Sequence, residues 1–349
     1  MRRWAHAAAM RTLIARLITA LSFALTPALA SAGEVEDQAR ALKRASDAVV
    51  GLRVQAVDDA RSASSLGLLR QGSGVVIGAD GLVLTIGYLV LEAEYVELLT
   101  EDNRRVPARV VAYDGASGFG LVQALAPLAV EPVPLGRVDA LAAAEPLVIV
   151  SGGSDGTVGM ARLLSRRGFS GWWEYHVDGA LFTSPPRQDH SGAALFNTRG
   201  ELLGIGSLLL ADVPGSPGEA GRAARRPANM FVPVELLQTI LPELRQNGQS
   251  NASRRAWLGV NCAESDGEVR VVRITEDSPA DVAGLERGDR IVRIDGRPVV
   301  SLEGLWKALW SAGAPERAVT LEIERNAKPQ TLVVQTVDRT KTLRRPRGV

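Results

Sequence analysis

From residue 49 onward, apolar positions come in short runs that alternate with polar residues and stop at Gly, Asp, Asn or Pro, the pattern of many short strands. VVGLRVQAV (49–57), SGVVIGA (73–79), LVLTIGYLV (82–90), YVELLT (95–100), VPARVVAYD (106–114), GLVQAL (120–125) and LVIVSGG (147–153) form a first series. GMARLLSR (159–166), WWEYHVDG (172–179), GAALFN (192–197) and GELLGIGSLLL (200–210) form a second. Strands this short and this closely spaced predict a mostly β unit, a closed antiparallel barrel or a sandwich. Residues 34–48 are charged and alanine-rich and predict a short helix, whereas 213–228 are rich in Gly, Pro, Ala and Arg and predict a surface loop. MFVPVELLQTILPELRQNG then predicts one more strand and a helix with Leu236, Leu237, Ile240 and Leu241 on one face. After a polar linker (247–256), WLGV (257–260), EVRVVRI (268–274), DRIVRIDG (289–296) and VTLEIERN (319–326) read as strands and LEGLWKALWSAG (302–313) as a helix. The second unit is therefore a small α+β module, 257–340, followed by a basic tail, 341–349.

The first 32 residues break the pattern. Arg2, Arg3, Arg11 and Arg16 precede an uncharged apolar run, Leu17 to Ala32, that ends in small residues. This is the layout of an export signal, with the globular first unit beginning at 33 and ending at 246. The run falls short of the roughly 20 residues a spanning helix needs. The expected location is the periplasm, the alternative being an inner-membrane anchor left by an uncleaved signal. Across 349 residues the formal net charge is +1, and aromatic residues are few, so nothing favours nucleic acid as a partner. The single cysteine, Cys262, rules out an internal disulfide. Three histidines, His6, His176 and His190, are all the chain has for imidazole chemistry, and their spacing predicts no metal site. GSGVVIG leads into a strand, not a helix, so no phosphate-cradling loop and no cofactor are expected.

Three stretches of the first unit resemble the HtrA/Deg family of trypsin-like serine proteases. They are GSGVVIGADGLVLTIGYLV (72–90), VPARVVAYDGASGFGLVQA (106–124) and RQDHSGAALFNTRGELLGIGS (187–207), in family order. The resemblance implies a two-barrel, Greek-key trypsin-like fold. It also implies that the family's nucleophile falls on Ser191, its histidine on Tyr88 and its aspartate on Gly118, with Asp189 at an oxyanion-hole position. A serine hydroxyl needs a base within hydrogen-bond reach, and the base needs an orienting partner. A phenol of ordinary pKa about 10 is a poor proton acceptor near neutrality, and Gly118 has no side chain. Asp189, if its backbone required φ > 0, would sit there at a cost, and its carboxylate would oppose a developing oxyanion. His190 adjoins Ser191, so the two side chains diverge; His176 and Asp178 share a strand face and could pair as a substitute base.

The second unit resembles a bacterial PDZ domain through RITEDSPADVAGLERGDRIVRIDGRPVVSLEGLWKAL (273–309). The resemblance implies that a peptide or protein C-terminus adds as a strand to an exposed edge beyond Gly259, its carboxylate held by the amides of Leu258, Gly259 and Val260. Leu305 and Leu309 either line the apolar pocket or pack the core, and Trp306 and Trp310 are expected to be partly exposed. Together these readings describe a catalytically degenerate, exported member that binds C-termini as a pseudoprotease scaffold or chaperone-like factor. A serine endopeptidase with a non-standard base, and an inactive regulatory subunit in a homo-trimer or a hetero-oligomer with an active relative, are the alternatives.

Overall fold

The computed structural model describes residues 32–142, 144–213 and 226–344. The predicted export signal lies outside them, apart from Ala32. So do 214–225 of the predicted loop and 345–349 of the basic tail. Among the described residues no helix is long and apolar enough to cross a membrane.

Helix α1 (Ala32–Asp47) leads into six strands, β1 (Val49–Ala56), β2 (Leu69–Val76), β3 (Leu82–Ile86), β4 (Ala93–Leu99), β5 (Arg105–Tyr113) and β6 (Phe119–Ala124). They close in the order β1-β2-β3-β6-β5-β4. A second barrel, ordered β10-β11-β12-β9-β8-β7, comprises β7 (Leu147–Val150), β8 (Val158–Ser170), β9 (His176–Ser184), β10 (Ala194–Phe196), β11 (Leu202–Val213) and β12 (Arg226–Pro233). Closure leaves neither sheet with an unpaired edge. Phe119, Leu84 and Leu121 are fully buried in the first barrel; in the second, Phe182 and Phe196 are buried in one cluster and Phe231, on the opposite face of the sheet, in another. Short helices α2 (Ala63–Leu66) and α3 (Gly87–Val90) decorate the first barrel, and α4 (Glu235–Asn247) ends the unit at Gly248, whose φ of 72° forms the left-handed cap.

The PDZ-like unit contains a sheet running β14 (Val260–Ser265), β15 (Glu268–Ile274), β16 (Arg290–Ile294), β18 (Ala318–Arg325), β19 (Lys328–Gln335), with β17 (Arg297–Pro298) paired to β16. A separate pair joins β13 (Ala256–Trp257) to β20 (Val337–Asp338). Helices α5 (Pro279–Val282) and α6 (Leu302–Trp310) pack on it. Both are capped by serine: Ser278 accepts from Asp281 N and Ser301 from Gly304 N.

Several expectations need correction. Gly87–Val90, read as the end of a strand, is a helical turn. Strand β9 starts at His176, so Trp172–Tyr175 lie outside the barrel sheet. The loop is shorter than read, since Val213 pairs with Arg226 and Leu210 with Ala228. Strand β19 went unread because its hairpin turns on Asn326 and Ala327, both at positive φ (52° and 59°), without the glycine that normally flags such a turn. Trp306, expected to be partly exposed, is completely buried in the core of the second unit with Leu305 and Leu309.

Truncating Phe119 to Ala should cost the first unit about 3–5 kcal/mol, the range for emptying a buried aromatic site. Urea unfolding followed by tryptophan fluorescence, compared with the parent chain, measures it.

Candidate functional site

Antiparallel pairing builds the first half of the site. Strand β3 ends beside the start of β6, with Ile86 opposite Phe119. The residues just beyond are thereby brought together, and Gly87 N donates to Gly118 O at 2.6 Å. The helical turn after β3 then points Tyr88 across the cleft toward the second barrel. From that barrel, Ser191 sits in the turn before β10, and its carbonyl accepts from Ser73 N at 2.9 Å. Gly192, next in the chain, has φ 74°, and a Cβ there would collide with the Ser73 carbonyl. The two half-sites are thus locked together by backbone.

Tyr88 Oη lies 2.8 Å from Ser191 Oγ and 3.0 Å from the Ser207 carbonyl oxygen. The phenol owns one proton. It donates either to Ser191 or to Ser207, and in the second case the Ser191 hydroxyl can donate to the phenol oxygen. Neither arrangement removes a proton from Ser191. Burial, opposed by the Ser191 bond, pushes the Tyr88 pKa up to about 12, so the phenolate that could act as a base is scarcely populated.

Gly118 has φ 82°, and the space its side chain would take is occupied. A Cβ there would lie 2.9 Å from Tyr175 Oη, which donates to Ser117 O at 2.8 Å. Asp114, a few residues earlier, accepts from Ser117 N and Oγ with one oxygen. Asp189 is not among the described residues with positive φ, so the strain anticipated for it does not arise. Nor does its charge stand alone: the carboxylate accepts from Ser151 Oγ (2.5 Å), Thr157 Oγ1 (2.6 Å) and Arg187 Nη2 (2.6 Å). Burial works to raise its pKa, but the bonds from Arg187, Ser151 and Thr157 prevail and hold it at about 2. Beside Ser191 and Asp189 opens a cavity of 250 Å³, walled on the far side by Gly51 to Arg53 and Ser151 to Asp155.

Of the histidines among the described residues, neither shows a hydrogen bond to Ser191. His190 Nδ1 faces the Arg187 carbonyl at 3.2 Å, and burial lowers its pKa. His176 does pair with Asp178 (3.0 Å), but its other nitrogen contacts Ser170 Oγ at 2.8 Å, so both ring nitrogens are used and neither meets Ser191. His176, Asp178 and Glu303 of α6 bring ligand-type atoms within 4.8 Å of one another, a grouping that chain spacing could not foretell. Lys307 Nζ already bridges Asp178 (3.1 Å) and Glu303 (2.7 Å) there.

At the PDZ-like unit, Gly259 has φ 88°, and a Cβ on it would strike Ser278, so only glycine fits. The Leu258 and Gly259 amides are engaged by a side chain of the other unit: Leu258 N donates to Glu174 Oε1 at 2.6 Å and Gly259 N to Oε2 at 3.2 Å. The edge expected to be exposed is also covered. Cys262 N donates to Trp172 O at 2.6 Å, and Trp173 bridges antiparallel to Asn261. Leu305 and Leu309 pack the core. Sequence reasoning missed Tyr175 and Glu174; the visible signal was two adjacent tryptophans beside an acidic residue in a strand-like run.

Comparison with known proteins agrees with both units. A trypsin-like peptidase domain model matches residues 72–205 and a PDZ domain model 256–336. The chain is similar to a DegP-like periplasmic serine endoprotease of Ectopseudomonas mendocina (strain ymp), 29% identical over 66% of this chain and 48% of that protein. It is similar also to the periplasmic serine endoprotease DegP of Escherichia coli (strain K12), 26% identical over 67% of this chain and 50% of that one. The chain spans about half the length of these curated relatives. Among solved structures, the HtrA-type protease AlgW with a decapeptide superposes with a TM-score of 0.53 at 21% identity, covering 88% of this chain and 99% of AlgW. The serine endoprotease from Yersinia pestis superposes with 0.52 at 20% identity, covering 86% and 97%.

Because Tyr175 fills the space beside Gly118, placing histidine at 88 and aspartate at 118 should not assemble a working triad. The double variant Tyr88→His/Gly118→Asp is expected to hydrolyse unfolded casein no faster than its Ser191→Ala derivative. Turnover that depends on Ser191 would show that the space is free.

Proposed function

We propose, for a chain that belongs to the HtrA/Deg family of trypsin-like proteins carrying a PDZ domain, a role without peptide-bond cleavage: it binds peptide or protein C-termini in the periplasm as a pseudoprotease scaffold or chaperone-like factor. The contact that carries this reading is the one between the Ser191 hydroxyl and the Tyr88 phenol. Acyl transfer needs the hydroxyl proton to leave as the oxygen attacks, and the group within reach already holds its own proton. Removing the histidine of a serine protease costs on the order of a millionfold in turnover even when the rest of the site survives. In this chain Gly118 also offers no side chain at the position that would orient a replacement base, and Tyr175 occupies the space beside it.

Binding, in contrast, needs only the loop and the edge strand. Leu258, Gly259 and Val260 carry amides around a glycine that admits close approach, and β14 ends its sheet, so both can take a peptide once Glu174 and Trp172 leave them. The PDZ domain match, and the AlgW structure with its decapeptide, support peptide binding by this chain. The periplasmic setting rests on the names of the DegP relatives and on the arginine-led apolar leader.

The test uses purified protein lacking residues 1–32. Casein incubated with it should remain as intact as with the Ser191→Ala variant. An apolar-ended decapeptide should bind with a free α-carboxylate and lose binding when amidated. Cleavage abolished by Ser191→Ala, or equal binding of acid and amide, contradicts the reading.

A further inference from the structure

The segment Gly171–Glu174, between β8 and β9, meets every element of the PDZ-like groove. The Glu174 carboxylate lies in the loop, on the Leu258 and Gly259 amides at 2.6 and 3.2 Å. The chain then runs back along β14 in the antiparallel sense, Trp173 opposite Asn261 and the Trp172 carbonyl accepting from Cys262 N at 2.6 Å. At the far end the Gly171 carbonyl accepts from Trp306 Nε1 of α6 at 3.0 Å, the indole itself being fully buried. A carboxylate in the loop, a strand on the edge and a contact to the helix wall are the features by which a peptide C-terminus is held. Here one internal segment supplies all of them, with a side-chain carboxyl standing in for a terminal one.

We propose that Gly171–Glu174 is a built-in competitor for the groove, so that a peptide C-terminus enters only after the Glu174 carboxyl has left the Leu258 and Gly259 amides. Each amide has one hydrogen, so the internal and external carboxylates exclude one another. Tethering gives the internal segment a high effective concentration, and an external peptide then binds with its affinity reduced by the fraction of open grooves. Glu174 is buried, facing Arg339, Arg255, Asp338 and Tyr113 across a small pocket and Cys262 behind it. Burial outweighs the amide bonds and the Arg339 charge, pushing its pKa up to about 7, the mark of a carboxyl that gives up favourable hydration on docking. The neighbouring Lys307–Asp178 pair is solvent-exposed and adds little hold.

This inference rests on the proposed use of the groove for C-termini, and two measurements separate their failures. The probe is a fluorescein-labelled decapeptide ending in Ser-Gly-Trp-Trp-Val with a free α-carboxylate, added to protein lacking residues 1–32. Glu174→Ala should bind it at least about tenfold more tightly than the parent, with Glu174→Gln in between. Independently, hydrogen exchange of the peptide-free proteins should show the amides of 258–260 protected in the parent and faster in Glu174→Ala, while β15 and β18 keep their protection and so report an intact fold. Equal affinities, or equal protection of 258–260, overturn the competitor. Faster exchange with no probe binding by either protein supports the docked carboxyl and overturns the C-terminus reading instead.

Discussion

The hydrogen-bonded contact of Ser191 with Tyr88 sets the limit on what the double barrel can do. The 2.8 Å separation is the distance at which a base would take the serine proton, but the partner is a phenol whose pKa is raised to about 12 and whose second neighbour is a carbonyl that can only accept. The scaffold around that contact is intact: two closed barrels, a nucleophile turn locked onto β2, and an open cleft. The proposed loss of proton transfer would leave this fold in place, since chemistry resides in a few side chains and not in the architecture that holds them.

A single short segment touches both functional regions. Tyr175 fills the space next to Gly118, while Glu174, its neighbour, reaches into the PDZ loop. Trp173 stacks on Tyr175 at 5.8 Å with ring planes 9° apart, and Trp172 meets Trp173 edge-on. This aromatic group packs the segment against the first unit next to the carboxylate that reaches the PDZ loop. The residue beside Gly118 and the residue on the PDZ loop are thus neighbours in the chain.

Much of this was legible in the sequence. The alternation of apolar positions marked the barrel strands, and the three quoted stretches carried the likeness that the trypsin-like peptidase domain model also finds. Spacing could not reveal contacts between residues far apart in the chain: Tyr175 against Gly118, Glu174 against Leu258, Glu303 beside His176. Asp189 was misjudged because its partners Ser151 and Thr157 come from the preceding hairpin, and a carboxylate read alone looks uncompensated. Trp306 was misjudged because helical periodicity within α6 places it beside the core face but cannot show that another unit covers it.

The state of the Ser191 proton is best probed by covalent capture, since a fluorophosphonate reports nucleophile activation without needing a substrate. Intact-mass analysis of the protein after incubation with such a reagent should show no adduct under conditions that fully label an active trypsin-like protease. A mass increase that maps to Ser191 and vanishes in Ser191→Ala would mean that a base reaches this hydroxyl after all.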